Sequence, residues 1–153
     1  MDAKALVDAQ RAYFRSGATL PLTARREALD RLEQGILDMQ EEIYAALKAD
    51  LNKSPFEAYM AEVGMTLSEL RFVRKHLKGW MKRQRVLSPL NQFPARSFTV
   101  AEPYGIALIL APWNYPFMLC MEPLIGAIAA GNCCVLKPSP FSKATSAVMN
   151  KLV

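Results

Sequence analysis

The chain has few of the residues that define several common classes of protein. Its 153 residues include 1 histidine, 3 cysteines and 7 glycines. Cys120, Cys133 and Cys134 lack the spacing of metal ligands, and their odd number argues against a framework of disulfide bonds. We therefore predict no metal site and a location in the reducing cytoplasm.

Features of export and membrane insertion are also missing. The N-terminal residues include an acid at Asp2 and no apolar core of the kind that a signal peptide needs. The longest apolar stretch, residues 115–131, is interrupted by Glu122 and Pro123 and is shorter than the roughly 20 residues of a membrane span. We expect no membrane contact from this part of the chain.

Charge is unevenly distributed along the chain. The net charge is +5, with a basic run at residues 71–85, whereas residues 101–153 contain only 2 acids. A basic run can bind nucleic-acid phosphates, but it is more often the solvated face of a helix, and no nucleic-acid motif accompanies it. We expect no nucleic-acid partner. A basic helical nucleic-acid-binding protein is the weaker of two alternative interpretations.

Apolar periodicity predicts amphipathic helices in residues 1–87, the helical region. A first short helix is capped by Asp2 and ends at Ser16-Gly17. A second helix is expected after Thr23, because apolar residues then recur at steps of three and four. This stripe consists of Leu29, Leu32, Ile36, Met39, Ile43 and Leu47.

A third helix has the clearest start in the chain. Ser54 is a predicted N-cap, Pro55 suits the first helical position, and Glu57 would complete a capping box. Its predicted apolar stripe slips near Val73 and consists of Phe56, Met60, Val63, Leu67, Leu70, Leu77 and Trp80. Since such a stripe must be buried, we expect the helices to pack on one another and on a sheet.

Prolines and apolar runs organise the rest of the chain. Residues 88–103 are a predicted connection in which residues 97–103 favour an edge or arm strand. Residues 105–110 and 133–139 are apolar runs typical of parallel strands buried on both faces. With a helix after each, they predict a strand–helix–strand–helix unit with a right-handed crossover. Residues 104–153 thus begin an α/β unit with a parallel sheet, which we interpret as truncated because two strands cannot bury the faces of a sheet.

Both predicted parallel strands end in residues that suit a site. In open parallel sheets, ligands bind just beyond the carboxyl ends of the strands. Asn114, held between Pro112 and Pro116, would be a rigid donor to an oxygen that becomes negative during a reaction. Lys137 would suit the phosphate or ribose of a cofactor. Singly, such an asparagine is more often a turn residue and such a lysine more often faces solvent, so only the combination is specific.

The segments "PWNYPF" and "PLIGAIAAGNCCVLKPS" resemble the aldehyde dehydrogenase superfamily, most closely its class 3-like branch of fatty and aromatic aldehyde dehydrogenases. The resemblance includes "ALKADLNKSPFEAYMAEVG" upstream and covers essentially the whole chain. It implies an α/β fold in which N-terminal helices pack on an incomplete Rossmann-like parallel sheet. It also implies a parent oxidoreductase, a homodimer or homotetramer, that uses NAD or NADP to oxidise an aldehyde to a carboxylic acid through a cysteine thiohemiacetal.

The resemblance assigns roles to individual residues. Asn114 corresponds to the asparagine of the family's oxyanion hole, which makes it the one catalytic residue predicted here. The residues assigned to cofactor binding are Pro112, Trp113, Asn114, Lys137, Pro138 and Ser139. Many members read Lys-Pro-Ser-Glu where this chain has Pro140. That difference leads us to expect that NADP is accepted as well as NAD, or better.

The family's nucleophilic cysteine, general-base glutamate and glycine-rich pyrophosphate turn do not occur in the sequence. We therefore expect the chain by itself to be inactive, and its own cysteines to be buried packing residues. We also expect it to be poorly stable or self-associating, because its sheet lacks neighbours. The main alternative is a non-catalytic module that binds a partner. The reading frame beyond Val153 would discriminate the two.

Overall fold

A computed structural model describes residues 2–153, which form seven α-helices and four short strands. The helices are α1 (Ala3–Arg15), α2 (Leu22–Asp38), α3 (Gln40–Leu51), α4 (Pro55–Ala58), α5 (Gly64–Trp80), α6 (Met118–Ala130) and α7 (Lys143–Leu152). The strands are β1 (Gln84–Val86), β2 (Ser97–Thr99), β3 (Ile106–Leu110) and β4 (Cys133–Lys137). A π-helical turn at Tyr59–Val63 joins α4 to α5, and a 3₁₀ turn, Leu90–Gln92, lies between β1 and β2. None of these helices has both the length and the apolar character needed to cross a bilayer.

The four strands form two separate sheets. β3 and β4 are parallel, with paired residues from Ile106 and Cys133 to Leu110 and Lys137. Since α6 connects them, the predicted strand–helix–strand unit is confirmed. β2 confirms the predicted arm strand and pairs antiparallel with β1, which the sequence did not predict. The division of the chain into residues 1–87, 88–103 and 104–153 stays a prediction. β1 lies in the first of these regions.

The second predicted helix is in fact two helices. α2 and α3 are separated at Met39, whose backbone angles (φ −100°, ψ 11°) lie outside helical geometry, so the prediction of one continuous helix was wrong. No proline or glycine marks the break, because residues 38–40 are Asp, Met and Gln. The apolar stripe nevertheless continues through it, and Ile36 and Ile43 on either side are both fully buried.

The π-helical turn at Tyr59–Val63 changes which side chains of the third predicted helix face the core. A π-turn accommodates an extra residue and so shifts the helical face that follows it. Phe56, before the turn, and Met60, within it, therefore do not share the buried face of α5. They were wrongly placed in the stripe, since they are 76% and 55% exposed, whereas Val73 of α5 is buried. Trp80 is also half exposed. The predicted N-cap is confirmed, because Ser54 Oγ accepts a hydrogen bond from the Glu57 N–H.

The core lies between the helical region and α6. α6 ends as predicted at Gly131, whose φ of 89° is in the left-handed region. Arg25 of α2 is buried at this end and donates from Nη1 to the Ala129 carbonyl at 2.9 Å. Burial lowers the pKa of Arg25 from its usual value. A Cβ at Gly131 would lie 2.6 Å from Arg25 Nη2, so both the backbone angle and the close approach require glycine.

β3 is buried on one face only. Ile109 is 7% exposed, whereas Leu108 and Leu110 on the other face are 63% and 65% exposed. The apolar run suits a strand that is buried on both faces, and its second face is exposed in this chain, as we expected for a sheet that lacks neighbours. A sheet of two strands is too small to bury its own faces, so this part of the second face is open to solvent.

Candidate functional site

The carboxyl ends of β3 and β4 lie side by side. Leu110 and Lys137 are the last paired residues of the parallel sheet. Just beyond them, the Ala111 N–H donates to the Lys137 carbonyl at 3.2 Å. The turn at residues 111–117, which we call the Asn114 turn, therefore begins next to Lys137. The order of the strands predicted this juxtaposition.

The Asn114 turn presents three of the predicted site residues to solvent. Pro112, Trp113 and Asn114 are all exposed, and Trp113 is 54% exposed. Within residues 2–153, no hydrogen bond uses the side-chain amide of Asn114, whereas its backbone carbonyl accepts a hydrogen bond from a buried side chain. The far end of the turn is buried at Pro116 and Phe117. The amide is thus available to a ligand while the backbone is anchored.

A buried ion pair from the helical region makes that anchor. Lys53 Nζ lies 2.6 Å from Glu62 Oε1, and the two side chains are 8% and 0% exposed. The same ammonium donates to the Asn114 carbonyl at 3.1 Å. It also lies 4.0 Å from the centroid of the Tyr115 ring, at cation–π distance. Lys53 therefore contacts two successive residues of the turn.

Glu62 uses its second oxygen at the start of α6. Oε2 accepts hydrogen bonds from the backbone N–H groups of Phe117 and Met118, at 2.8 and 3.2 Å. The first N–H groups of a helix have no partner within the helix, and a negative charge beside them is favourable. Sequence reasoning missed both Lys53 and Glu62, because such residues in an amphipathic segment are ordinarily solvated. The sequence carried no signal that they are buried.

The residues after β4 lie beside the Asn114 turn. We call these two segments, together with Lys137, the corner. Lys137 is exposed and forms no ion pair with the residues that the structure describes. Pro138 is half-buried, and Ser139 is 7% exposed. Ser139 Oγ accepts a hydrogen bond from the Phe141 N–H at 3.2 Å, so this hydroxyl shapes the turn before α7.

The helical region also fixes the element that follows Lys137. Both carboxylate oxygens of Asp50 in α3 accept hydrogen bonds from the first turn of α7. The donors are the N–H groups of Ala144, at 3.1 Å, and Thr145, at 2.7 Å. A carboxylate at a helix N-terminus is stabilising. Each of the two loops at the corner is thus held by side chains from the first 62 residues.

The three cysteines are free thiols whose environments suppress ionisation. Cys120 and Cys133 are buried and Cys134 is half-buried. Burial raises the pKa of the Cys120 thiol to about 11. The pKa of Cys134 is also raised to about 11, mainly by burial and to a smaller extent by the neighbouring Cys133. Burial also raises the pKa of Cys133. Because the thiolate is the nucleophile, these pKa values support the interpretation of all three as packing residues.

We expect Cys120 and Cys134 to be alkylated slowly by iodoacetamide while the chain is folded. At pH 8, a thiol with a pKa of about 11 has a thiolate fraction of roughly 10⁻³, compared with roughly a quarter for an ordinary cysteine. The two thiolate fractions differ by roughly 10², so peptide mass spectrometry should show that these cysteines are labelled at least about 100-fold more slowly in the folded chain than in urea. The native rate should rise about tenfold per pH unit below pH 11. Labelling of Cys120 at similar rates in both conditions would contradict this interpretation.

Two arginines of the basic run are engaged in ion pairs within the protein. Arg71 Nε lies 2.6 Å from Glu33 Oε1, and Arg74 bonds to both Glu33 and Asp30. These contacts join α5 to α2. They favour a structural role for this part of the run over phosphate binding.

The whole chain matches one family of known proteins. A model of the family described as "Aldehyde dehydrogenase family" matches residues 1–153. The chain is 43% identical over 143 residues to 4,4'-diaponeurosporen-aldehyde dehydrogenase of Staphylococcus aureus, a match that covers 94% of this chain and 31% of that protein. It is 40% identical over 151 residues to aldehyde dehydrogenase family 3 member I1, chloroplastic, of Arabidopsis thaliana, covering 99% of this chain and 28% of that protein.

The fold is similar over the same region. A solved structure of Staphylococcus aureus AldH in its substrate-bound state matches with a TM-score of 0.95 and 41% identity, and covers 100% of this chain and 34% of that one. The chain therefore spans about a third of the length of the relatives it matches. The predicted fold class, helices packed on an incomplete Rossmann-like parallel sheet, is confirmed.

Proposed function

Because the chain belongs to the aldehyde dehydrogenase family, we propose that it is the N-terminal part of an enzyme that oxidises an aldehyde to a carboxylic acid with NAD or NADP. Relatives named as family 3 members agree with the class 3-like resemblance. The observation that carries the proposal is the corner where the exposed Asn114 amide and the exposed Lys137 ammonium follow two paired parallel strands.

Asn114 supplies the oxyanion donor in this proposal. A cysteine thiolate of the complete enzyme adds to the aldehyde carbon, and negative charge develops on the aldehyde oxygen. The Asn114 amide, which has no competing partner among residues 2–153, donates a hydrogen bond to that oxygen. Since the turn is already anchored, little reorganisation is needed as the charge develops. The thioester left after hydride loss is then hydrolysed to the carboxylic acid.

The chemistry of the corner fits a nicotinamide dinucleotide. When bound, that cofactor supplies the acceptor for the hydride. Lys137 has an ammonium free of internal ion pairs in the described part of the chain, which suits ribose hydroxyls or a phosphate. Pro112 and Trp113 present rigid, largely apolar surface beside Asn114, suited to one face of the nicotinamide ring. Pro138 and Ser139 follow Lys137 directly, and the Ser139 hydroxyl accepts a hydrogen bond within the turn after β4.

The location and assembly of the enzyme form part of the proposal. Three free thiols support a reducing cytoplasm. Leu87 and Phe93, next to the exposed β1–β2 sheet, are 99% and 87% exposed. Apolar side chains exposed to this degree support burial in a homodimer or homotetramer. The aldehyde is the only partner we propose beyond the cofactor and the other subunits.

The test uses the complete enzyme, by which we mean this chain joined to the remaining family segments. These come from its own reading frame or, where that stops, from the matching part of the Staphylococcus aureus relative. The complete enzyme should form reduced cofactor in the presence of an aliphatic or aromatic aldehyde. The chain alone should form none, because it has no activated thiol. A folded complete enzyme without activity, or steady turnover by the purified chain alone, would refute the proposal.

A further inference from the structure

We propose that Lys53 and Glu62 are positioning residues, whose buried pair sets the rate of aldehyde oxidation by fixing the Asn114 turn. Neither side chain is exposed, so neither would touch substrate or cofactor. The inference rests on the proposed role of Asn114. It adds a pair of residues, from the helical region, on which the efficiency of that donor depends.

The contacts of the pair converge on one short segment. Apart from the bond between them, the side chains of Lys53 and Glu62 make hydrogen bonds, within the part of the chain that the structure describes, only to backbone groups of residues 114–118. Lys53 holds the carbonyl of Asn114, and Glu62 holds the N–H of Phe117. Because the two side chains are bonded to each other, they connect both ends of this segment.

The segment between these two contacts has little freedom. Its residues are Tyr115, whose ring lies against the Lys53 ammonium, and Pro116, whose ring fixes φ and which is buried. The contacted carbonyl and the free amide belong to the same residue, Asn114. Restraining the backbone of that residue therefore restrains the origin and direction of its side chain.

Stability alone is a poor explanation for a pair buried in this way. Replacing a buried ion pair by well-packed neutral groups is often neutral or stabilising, because the desolvation of two charges offsets their attraction. Orientation matters far more to an oxyanion donor, since a misplacement of about 1 Å can cost 10²-fold in rate. The geometry thus favours positioning as the consequence of the pair.

The test compares Lys53→Met with the double variant Lys53→Met/Glu62→Gln in the complete enzyme. The double variant leaves no unpaired buried charge, and the glutamine oxygen still serves as an acceptor at the start of α6. We expect kcat of the double variant to fall about tenfold, with the aldehyde KM and the cofactor Kd within about twofold, because the donor is displaced but not removed. Lys53→Met should lose at least as much in kcat and should also melt at a lower temperature.

A double-mutant cycle shows whether the loss acts through Asn114. In the Asn114→Ala background, the same two substitutions should lower kcat by less than about twofold, because the displaced donor is already absent. The matched control is Glu33→Gln, which removes a buried acid whose ion pairs stay between α2 and α5. It should lower the melting temperature and leave kcat unchanged.

Three results would overturn the inference. The first is a double variant with wild-type kcat while Asn114→Ala is slow. The second is a full tenfold further loss in the Asn114→Ala background. The third is a double variant that does not fold although Glu33→Gln does, which would make the pair purely structural. A wild-type kcat for Asn114→Ala would refute the proposed function as well, and so distinguishes the two failures.

Discussion

Asn114→Ala should lower kcat of the complete enzyme by on the order of 10²–10³, the usual effect of removing one oxyanion donor. The expectation rests on a side-chain amide that has no hydrogen-bond partner among residues 2–153. It belongs to a residue whose backbone carbonyl is held at 3.1 Å by a buried lysine. The amide would meet negative charge only in the transition state, where it develops, and in the oxyanion that follows, but not in the bound aldehyde. The loss should therefore appear in kcat, with little change in cofactor affinity.

Steady-state kinetics with saturating cofactor, together with a direct cofactor titration, provide the measurement. Asn150→Ala is a suitable control, because Asn150 is exposed on α7 and is not among the residues of the corner. It should leave kcat unchanged. If Asn114→Ala also keeps turnover within a few fold of the wild type, Asn114 is only a turn residue and the proposed mechanism fails.

The two halves of the corner could be predicted from sequence because their signals are local. Each of the residues Asn114 and Lys137 follows an apolar strand, and the parallel order of those strands brings their ends together. The Lys53–Glu62 pair could not be predicted in this way. Its contacts with the Asn114 turn span 61 and 55 residues of sequence. Periodicity describes neighbours along an element and carries no information about such contacts.

The errors in the fold have similar physical causes. The break at Met39 and the π-turn at Tyr59–Val63 contain no proline, and the one irregularity seen in the apolar pattern, a slip near Val73, lies well after the π-turn. The π-turn matters for the site, since Glu62 lies within it and is fully buried. The exposed face of β3 is a different case, since the sequence had already indicated a sheet that lacks neighbours. The pattern of a strand describes the sheet for which it is suited, whereas Leu108 and Leu110 remain exposed in this chain.

Cofactor preference is the second large effect that we expect, and it depends on Pro140. This residue is exposed in the turn after β4, three positions from Lys137. A glutamate at this position, as in the family pattern that the sequence resembles, would accept hydrogen bonds from the adenosine ribose and repel a 2′-phosphate. Pro140 has neither an acceptor nor a charge in its side chain, while Lys137 remains to attract a phosphate. We therefore propose that the complete enzyme uses NADP as efficiently as NAD, or prefers it.

Pro140→Glu should lower the ratio of kcat/KM for NADP to kcat/KM for NAD by on the order of 10–10²-fold. A hydrogen bond to a charged acceptor contributes about 1.5–3 kcal/mol to NAD binding, and repulsion of the 2′-phosphate adds to the difference. Pro140→Gln is the matched control, because it removes the same proline and introduces an acceptor of similar size without the charge. Its ratio should stay closer to the wild type than that of Pro140→Glu. A wild-type enzyme strongly selective for NAD, with a ratio that Pro140→Glu leaves unchanged, would show that this turn does not determine the choice of cofactor.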